Sequence, residues 1–396
     1  MNIFKISTTL REFLSNYILI FFFLYDFIVK VIVDFTGYKL FYNYVIVFKS
    51  SLIFFLLLKL EIKKVKKELT ISVILLSIAY VITQLTSYRL LNIDDIKYNG
   101  YYFLSSIVSI LFLIYLLQKN KLITIEKSVS SFLFFMTINS ICAIIGYVFN
   151  ISFFESYFRG NRFGYSGMLL YHHEIGYIFF VTVVLSYFHF TKNKSVFNVV
   201  SFLLIFTSSF LFGTKKTVFF SLFFLLFLFI KYIKNYRFLI SITSLALILG
   251  LIFNKTLLKI YNTYYELFYG IYLRDGFWSS FLSHRNNLLT DNYIPYFMEE
   301  KSLKSILFGF PLYNAHKAEL EFFDLFLFFG ILGLLSYFFY FKFLLNKKSK
   351  TTYFLILSLL FGSLFSGNLL ASVNVMILLI LTVWYINQQK NAYESN

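Results

Sequence analysis

Long apolar runs separated by short polar connections dominate the chain, and the length of these runs indicates which elements they form. A transmembrane helix needs about 20 mostly apolar residues, and most of the runs reach or approach that length. We therefore predict twelve transmembrane helices, at Phe13–Val33, Leu40–Leu60, Leu69–Ser87, Tyr101–Leu117, Ser128–Phe149, Ser166–Phe190, Val196–Phe212, Thr217–Ile233, Arg237–Phe253, Phe322–Phe341, Thr352–Phe365 and Leu369–Ile386.

One long stretch, Asn254–Glu321, interrupts this pattern between the ninth and tenth predicted helices. It contains both prolines, Pro295 and Pro311, and it mixes Arg, Asp, Glu, His and Asn. Hydrocarbon tolerates neither exposed polar backbone nor unpaired charge, so a membrane protein places such a stretch outside the bilayer. We predict one large extracytoplasmic loop at 254–321, within a single integral-membrane domain that spans 1–396.

The overall composition agrees with a polytopic, all-α membrane protein and excludes several other classes. Hydrophobic residues make up 59% of the 396 residues and charged residues only 14%, whereas about a quarter of a soluble domain is charged. The chain has a single cysteine, Cys142, which excludes an intramolecular disulfide and a cysteine-based metal site.

The formal net charge of +17 comes from short basic clusters between the apolar runs, a pattern that indicates membrane orientation rather than nucleic-acid binding. With the N-terminus inside, the inner connections carry 20 Lys and Arg and the short outer connections carry 7. Basic residues favour the cytoplasmic side. We therefore predict a multi-pass protein of the cytoplasmic membrane with both termini cytoplasmic.

Basic residues that remain on the predicted outer side suggest an anionic ligand there. Arg159 and Arg162 follow the fifth predicted helix, Lys215 and Lys216 lie in a tight turn, and Arg274 and Arg285 lie in the large loop. Guanidinium groups suit bidentate contacts to phosphate. The alternative is that each residue contacts lipid headgroups or a nearby carboxylate.

Histidines and carboxylates are the further candidates for chemistry. His172 and His173 precede Glu174 in the sixth apolar run, where a carboxylate is costly unless it is paired or faces a polar cavity. Glu321 and Asp324 enter the tenth helix three residues apart, with Arg285 as an expected partner. Either carboxylate, or His316 in the loop, is a candidate general base. Asp26 and Lys30, one helical turn apart, suggest an internal ion pair, and no residue cluster indicates a metal site.

At these residues the chain resembles the O-antigen polymerase and ligase superfamily of bacterial envelope glycan assembly, and Wzy-like polymerases most closely. The similar segments lie between Tyr157 and Gly333. They are Arg162-Phe163-Gly164, Phe212-Gly213-Thr214-Lys215-Lys216, Ser283-His284-Arg285, Phe308-Gly309-Phe310, and Glu319–Asp324 followed by Gly330–Gly333. Lys215 stands where the family often has Arg, and the interval between His316 and Gly330 favours a polymerase over a ligase.

The resemblance implies glycosyl transfer at the outer face of the membrane, with a polyprenyl-diphosphate-linked oligosaccharide as donor and the lipid diphosphate as leaving group. The basic residues would bind the diphosphate, and Glu321, Asp324 or His316 would receive the proton of the acceptor hydroxyl. No cofactor or metal is implied. Membrane lipid, a chain-length regulator and a flippase are the expected partners, without nucleic acid. An O-antigen ligase-type glycosyltransferase and a lipid-linked oligosaccharide flippase or other transporter remain the alternatives.

Overall fold

The computed structural model describes residues 2–37, 41–57, 65–87, 92–119, 122–157, 163–232, 244, 254–311, 313–346 and 349–394. Within these residues all regular secondary structure is helical, and no β-strand forms beyond an isolated antiparallel bridge between Glu155 and Tyr165. The predicted all-α class is therefore confirmed for the described part of the chain.

The α-helices, numbered in chain order, cover all or most of every predicted apolar span except Arg237–Phe253, of which only residue 244 is described. They are α1 Asn2–Thr36, α2 Phe41–Leu57, α3 Lys67–Ser87, α4 Ile93–Lys119, α5 Leu122–Phe149, α6 His172–Lys192, α7 Val196–Ser208, α8 Lys215–Tyr232, α9 Asn254–Leu282, α10 Arg285–Leu288, α11 Ile294–Glu300, α12 Leu303–Phe308, α13 Tyr313–His316, α14 Glu321–Leu345, α15 Lys350–Leu364 and α16 Val373–Glu394.

Five helical segments in the described residues are long and apolar enough to cross a membrane: Lys67–Thr86, Ile93–Gln118, Ile125–Phe149, His172–Lys192 and Glu321–Leu345. Apolar side chains also form stripes on the surface of the fold. On α5 the exposed residues Phe134, Ile138, Ile141, Ile145 and Val148 follow one face. A soluble protein rarely exposes so continuous an apolar surface, so the chain has the character of a helical membrane protein.

The helix that packs at the centre of the fold is the last one, α16. It contacts α1, α4, α5, α6 and α15, and its residues from Val375 to Val383 are buried. A helix that is apolar on every side can be surrounded by other helices without burying unpaired polar groups. The preceding turn, 365–372, consequently lies against the interior rather than at the surface.

The described residues of the stretch 254–321 are mostly helical, a feature that the sequence analysis did not predict for the large loop. It consists of α9 to α13 with a π-helical turn, Leu289–Tyr293, between α10 and α11. α9 is kinked at Gly276, where φ is +80°. The stretch 254–321 has few long apolar runs, so these helices were not predicted from the sequence. An amphipathic helix needs only one apolar stripe and not a continuous apolar run.

Two further expectations are corrected by the packing. The sixth predicted span begins at Ser166, but α6 begins at His172, because the preceding residues form a turn held by Asn139, whose Oδ1 accepts from the Met168 amide at 2.6 Å. The partner of Asp26 is Lys49 on α2, at 2.6 Å, and not Lys30. The Lys30 ammonium donates instead to the carbonyl of Gly167, at 2.7 Å.

Candidate functional site

A cavity of about 400 Å³ lies where the starts of α6 and α8, the end of α9, the segment before α14 and the turn between α15 and α16 meet. Its charged lining side chains are mostly cationic. They comprise four cations and one carboxylate, together with two histidines: Lys215, Lys216, Arg285, Lys317, Glu319, His172 and His173. Walls of one charge sign concentrate counter-ions, so the cavity is suited to a compact anion.

Lys216 lines the cavity and is held by contacts to two other segments, α6 and the turn between α15 and α16. Its ammonium donates to the carbonyl of His173 at 3.1 Å and that of Gly367 at 3.5 Å. It also lies 3.8 Å from the centre of the Tyr177 ring, a cation–π contact. Gly176 is required beside it, because a Cβ there would come within 2.7 Å of the Lys216 Cγ.

Lys215, the neighbouring residue, joins the start of α8 to α9. Its ammonium donates to the carbonyls of Ser280 and Phe281 and lies 3.3 Å from the centre of the Phe268 ring. Consecutive helical residues point in different directions, which is why Lys215 and Lys216 contact different segments. Both side chains nevertheless line the cavity.

Arg285 is a cavity cation with a buried donor that has no partner. One terminal nitrogen donates to the Leu282 carbonyl at 3.2 Å, and the other lies 3.5 Å from the Glu319 carboxylate. The Nε of Arg285 is buried and has no hydrogen-bond partner. A buried guanidinium N–H without a partner is costly, and the Arg285 side chain also lines the cavity.

The backbone around Arg285 takes an unusual conformation that places the side chain here. Ser283 and His284 both have positive φ, +54° and +65°, in the turn between α9 and α10. Non-glycine residues seldom adopt this conformation. The turn is closed by the His284 amide, which donates to the Ser279 carbonyl at 2.9 Å.

At two places a glycine lets two backbone segments pack in direct contact. Both places involve segments that carry the sequence resemblance. Gly213, with φ +69°, crosses the chain at Phe163 and Gly164, where a Cβ on Gly213 would overlap the Phe163 carbonyl. The Tyr165 amide donates to Leu211 at 2.8 Å beside this crossing. The segment after Arg162 therefore packs directly on the turn that carries Lys215 and Lys216.

The second crossing joins α12 to α14. A Cβ on Gly309 would overlap the Phe328 carbonyl, and one on Gly330, where φ is +61°, would approach the Leu307 carbonyl carbon to 2.5 Å. The Phe310 amide donates to Leu327 at 2.7 Å. This contact bends α14 and sets the position of the residues before it, which include Lys317 and Glu319.

Glu321 and Asp324 do not line the cavity but are buried beneath it, where both accept hydrogen bonds from backbone amides. The two oxygens of Glu321 accept from Leu369 at 2.6 Å and Leu370 at 2.9 Å. Asp324 accepts from Ala318 at 2.7 Å. The Glu321 carboxylate thus holds the turn before α16, and the partner of Arg285 is Glu319 rather than Glu321.

The remaining predicted residues lie apart from the cavity. The His316 ring stacks on Tyr296, with ring centres 4.0 Å apart. Arg274 is exposed near the kink of α9 and is not a lining residue. Arg159 and Arg162 lie outside the described residues. Within the described residues, no group of three His, Cys, Asp or Glu could hold a metal ion.

Sequence reasoning missed Lys317, Glu319 and the turn between α15 and α16 as parts of the site. Both charged residues lie within segments that the sequence analysis considered, but Glu321 and Asp324 attracted attention because they stand in an apolar run. The polar break Ser366-Gly367-Asn368 was the signal for the turn. Its contact with Glu319, where the Gly367 amide donates to the Glu319 carbonyl at 2.8 Å, required the three-dimensional structure.

No family model, curated protein or solved structure matches this chain.

Proposed function

We propose that the chain is a polymerase that joins polyprenyl-diphosphate-linked oligosaccharide repeat units at the outer face of the cytoplasmic membrane. The observation that carries the proposal is the cationic cavity, in which Arg285 has an unused, buried Nε–H donor. A diphosphate leaving group needs its developing negative charge neutralised, and preorganised cations can do this without a metal.

The transfer breaks the bond between the anomeric carbon of the donor sugar and the diphosphate oxygen. The electron pair of that bond stays on the diphosphate, whose charge is balanced by Arg285, Lys216, Lys215 and Lys317. An acceptor hydroxyl on a second lipid-linked repeat forms the new bond, and its proton passes to a carboxylate beside the cavity that acts as general base. Glu319 positions Arg285 through their 3.5 Å contact.

The proposal includes twelve membrane-spanning helices with both termini cytoplasmic. It is supported by the apolar runs and by the excess of Lys and Arg in alternate connections. In this arrangement the cavity opens to the outer side, since the starts of α6 and α8 and the segment before α14 all follow predicted outer connections. A lipid-linked substrate can then keep its prenyl chain in the bilayer while its diphosphate enters the cavity.

Transport of a lipid-linked oligosaccharide is the second candidate function, and one observation favours it. Asp26 and Lys49 form an ion pair in which both side chains are only 3% exposed, inside the helix bundle. Charged residues within membrane helices often mark ion or substrate pathways. A ligase-type transferase would use the same cavity, and only the acceptor would differ.

The proposal is tested by what accumulates when Arg285 is replaced. In cells carrying Arg285→Ala, we expect single repeat units on the lipid carrier at the outer leaflet, and little polymer. Finished polymer retained on the carrier would indicate a ligase. Single repeats confined to the inner leaflet would indicate a flippase and would contradict the proposal.

A further inference from the structure

A second, smaller polar cavity of about 190 Å³ lies beside the cationic cavity and has no role in the transfer as proposed above. It lies between the middle of α2, the start of α6 and the start of α16, and its polar lining includes Lys49, Glu174, Ser372 and Asn374. His173 and Asn368 line both cavities. These two residues therefore form part of the wall of both cavities.

Hydrogen bonds hold the side chains of this smaller cavity in fixed positions. The Asn374 amide nitrogen donates to Asp26 at 2.7 Å and to Glu174 at 3.4 Å. Lys49 contacts both oxygens of the same Asp26 carboxylate, at 2.6 and 2.8 Å. Such a network orients the carboxylate of Glu174 and the amide of Asn374 relative to each other.

One polar atom in this network has no partner. Asn374 is only 3% exposed and lines the cavity, yet its Oδ1 accepts no hydrogen bond. Leaving a buried acceptor unsatisfied is unfavourable. An unsatisfied acceptor beside the Glu174 carboxylate suits a ligand that carries several hydroxyl donors, because each hydroxyl can donate to one of these oxygens.

We propose that the smaller cavity binds a sugar of the acceptor oligosaccharide and that Glu174 receives the proton of the reacting hydroxyl. This inference rests on the proposed function, because it supplies the acceptor side of the same transfer. An acceptor hydroxyl held near His173 and Asn368 faces the donor sugar whose diphosphate lies in the cationic cavity. As its oxygen bonds the anomeric carbon, the bond from that carbon to the diphosphate breaks with its electron pair, and the hydroxyl proton passes to Glu174.

Two kinds of substitution test the two parts of the inference. Glu174→Gln removes the proton acceptor at nearly constant shape, and we expect it to lower kcat by about 100-fold or more. Asn374→Leu removes the unsatisfied acceptor, and Ala371→Leu fills the cavity without removing a polar group. We expect both leucine variants to raise the KM for acceptor about tenfold or more.

The assay uses the purified full chain with lipid-linked repeats as donor and oligosaccharide released from the carrier as soluble acceptor. Binding of farnesyl diphosphate, a probe for the cationic cavity, is measured in parallel and should be unchanged in all three variants. Ser201→Leu is the matched control, because it fills a different cavity of about 240 Å³ beside α7. Ser201→Leu should leave both the transfer kinetics and farnesyl diphosphate binding unchanged.

Unchanged kinetics in Glu174→Gln, or an unchanged acceptor KM in both leucine variants, would overturn the inference and leave the proposed function standing. Loss of farnesyl diphosphate binding in the variants would also overturn it, because the two sites would not be separate. If the unsubstituted chain joins no repeats, the proposed function fails. Binding of the released oligosaccharide without donor then decides the inference: weakening by Ala371→Leu supports it, and equal binding contradicts it.

Discussion

At the residue scale, the cations of the cavity differ in how many of their hydrogen-bond donors already have partners. The ammonium groups of Lys215 and Lys216 are already engaged with backbone carbonyls and aromatic rings. Arg285 keeps one buried N–H free of any partner. Its planar guanidinium can make two parallel hydrogen bonds to a phosphate, which an ammonium cannot reproduce. Arg285 is therefore the residue whose replacement should affect the transfer most directly.

We expect Arg285→Lys to reduce the rate of repeat-unit transfer about 100-fold or more, since losing one preorganised charge contact in a transition state costs about 2–4 kcal/mol. The rate is measured with purified protein and lipid-linked repeats. Arg274→Lys is the matched control, because Arg274 is an exposed arginine outside the cavity. Equal rates for the two variants would contradict the assignment of Arg285.

Glu321 gives a different expectation, because its carboxylate accepts hydrogen bonds from two backbone amides. A glutamine has a single acceptor oxygen, so Glu321→Gln leaves one buried amide poorly paired. We expect a loss of about 1–3 kcal/mol of stability, seen as a lower thermal unfolding temperature in detergent. A variant with normal thermal stability but no transfer activity would instead support Glu321 as a general base.

Most of the candidate residues that could be predicted from the sequence share a simple signal, since they are charged or polar side chains at the ends of apolar runs, whereas Arg285 is a basic residue of the predicted outer loop. His172, His173, Lys215, Lys216 and Arg285 indeed meet at one cavity. Which of two nearby carboxylates reaches that cavity could not be predicted, because it depends on how the chain turns before α14. Glu319, at φ +56°, has its side chain in the cavity, whereas Glu321 is turned into the interior.

At the element scale, the tight turn before α8 depends on Gly213. Its φ of +69° and the overlap that a Cβ would make with the Phe163 carbonyl both require glycine. We expect Gly213→Ala to destabilise the protein by at least about 1–2 kcal/mol, the cost of the left-handed conformation alone. Thermal unfolding in detergent measures this change.

Gly270 in α9 is the matched control for that substitution. Nothing lies within 4 Å of a Cβ built at this position, and alanine favours a helix interior over glycine by about 1 kcal/mol. Gly270→Ala should therefore leave the unfolding temperature unchanged or raise it. If Gly213→Ala unfolds at the same temperature as Gly270→Ala, the crossing of the two segments at Gly213 is not as described.

Most helices could be predicted at this scale because an apolar run of sufficient length leaves the backbone few alternatives in hydrocarbon. The helices of 254–321 could not, because their apolar stripes are interrupted by polar residues. α9, for example, exposes a row of stacked tyrosines, Tyr261, Tyr265, Tyr269 and Tyr272. The central position of α16 was also unpredictable, since a uniformly apolar sequence does not reveal its neighbours.

At the scale of the whole molecule, the proposed orientation places the cationic cavity on the outer side. A cysteine introduced as Asn287→Cys, in a Cys142→Ala background, lies two residues after Arg285. We expect it to react with a membrane-impermeant thiol reagent in intact cells. Lys127→Cys in the same background is the control and should react only after lysis. The reverse pattern would overturn the orientation and the proposed function together.

The central claim is that the cationic cavity serves the joining of lipid-diphosphate-linked repeats. It is tested most directly by reconstituting the purified chain in liposomes that carry lipid-linked repeat units, with no other protein present. The account predicts a ladder of products that grows by one repeat at a time, with release of polyprenyl diphosphate, and predicts that Arg285→Ala abolishes the ladder. Repeats that change leaflet without being joined to one another would contradict it.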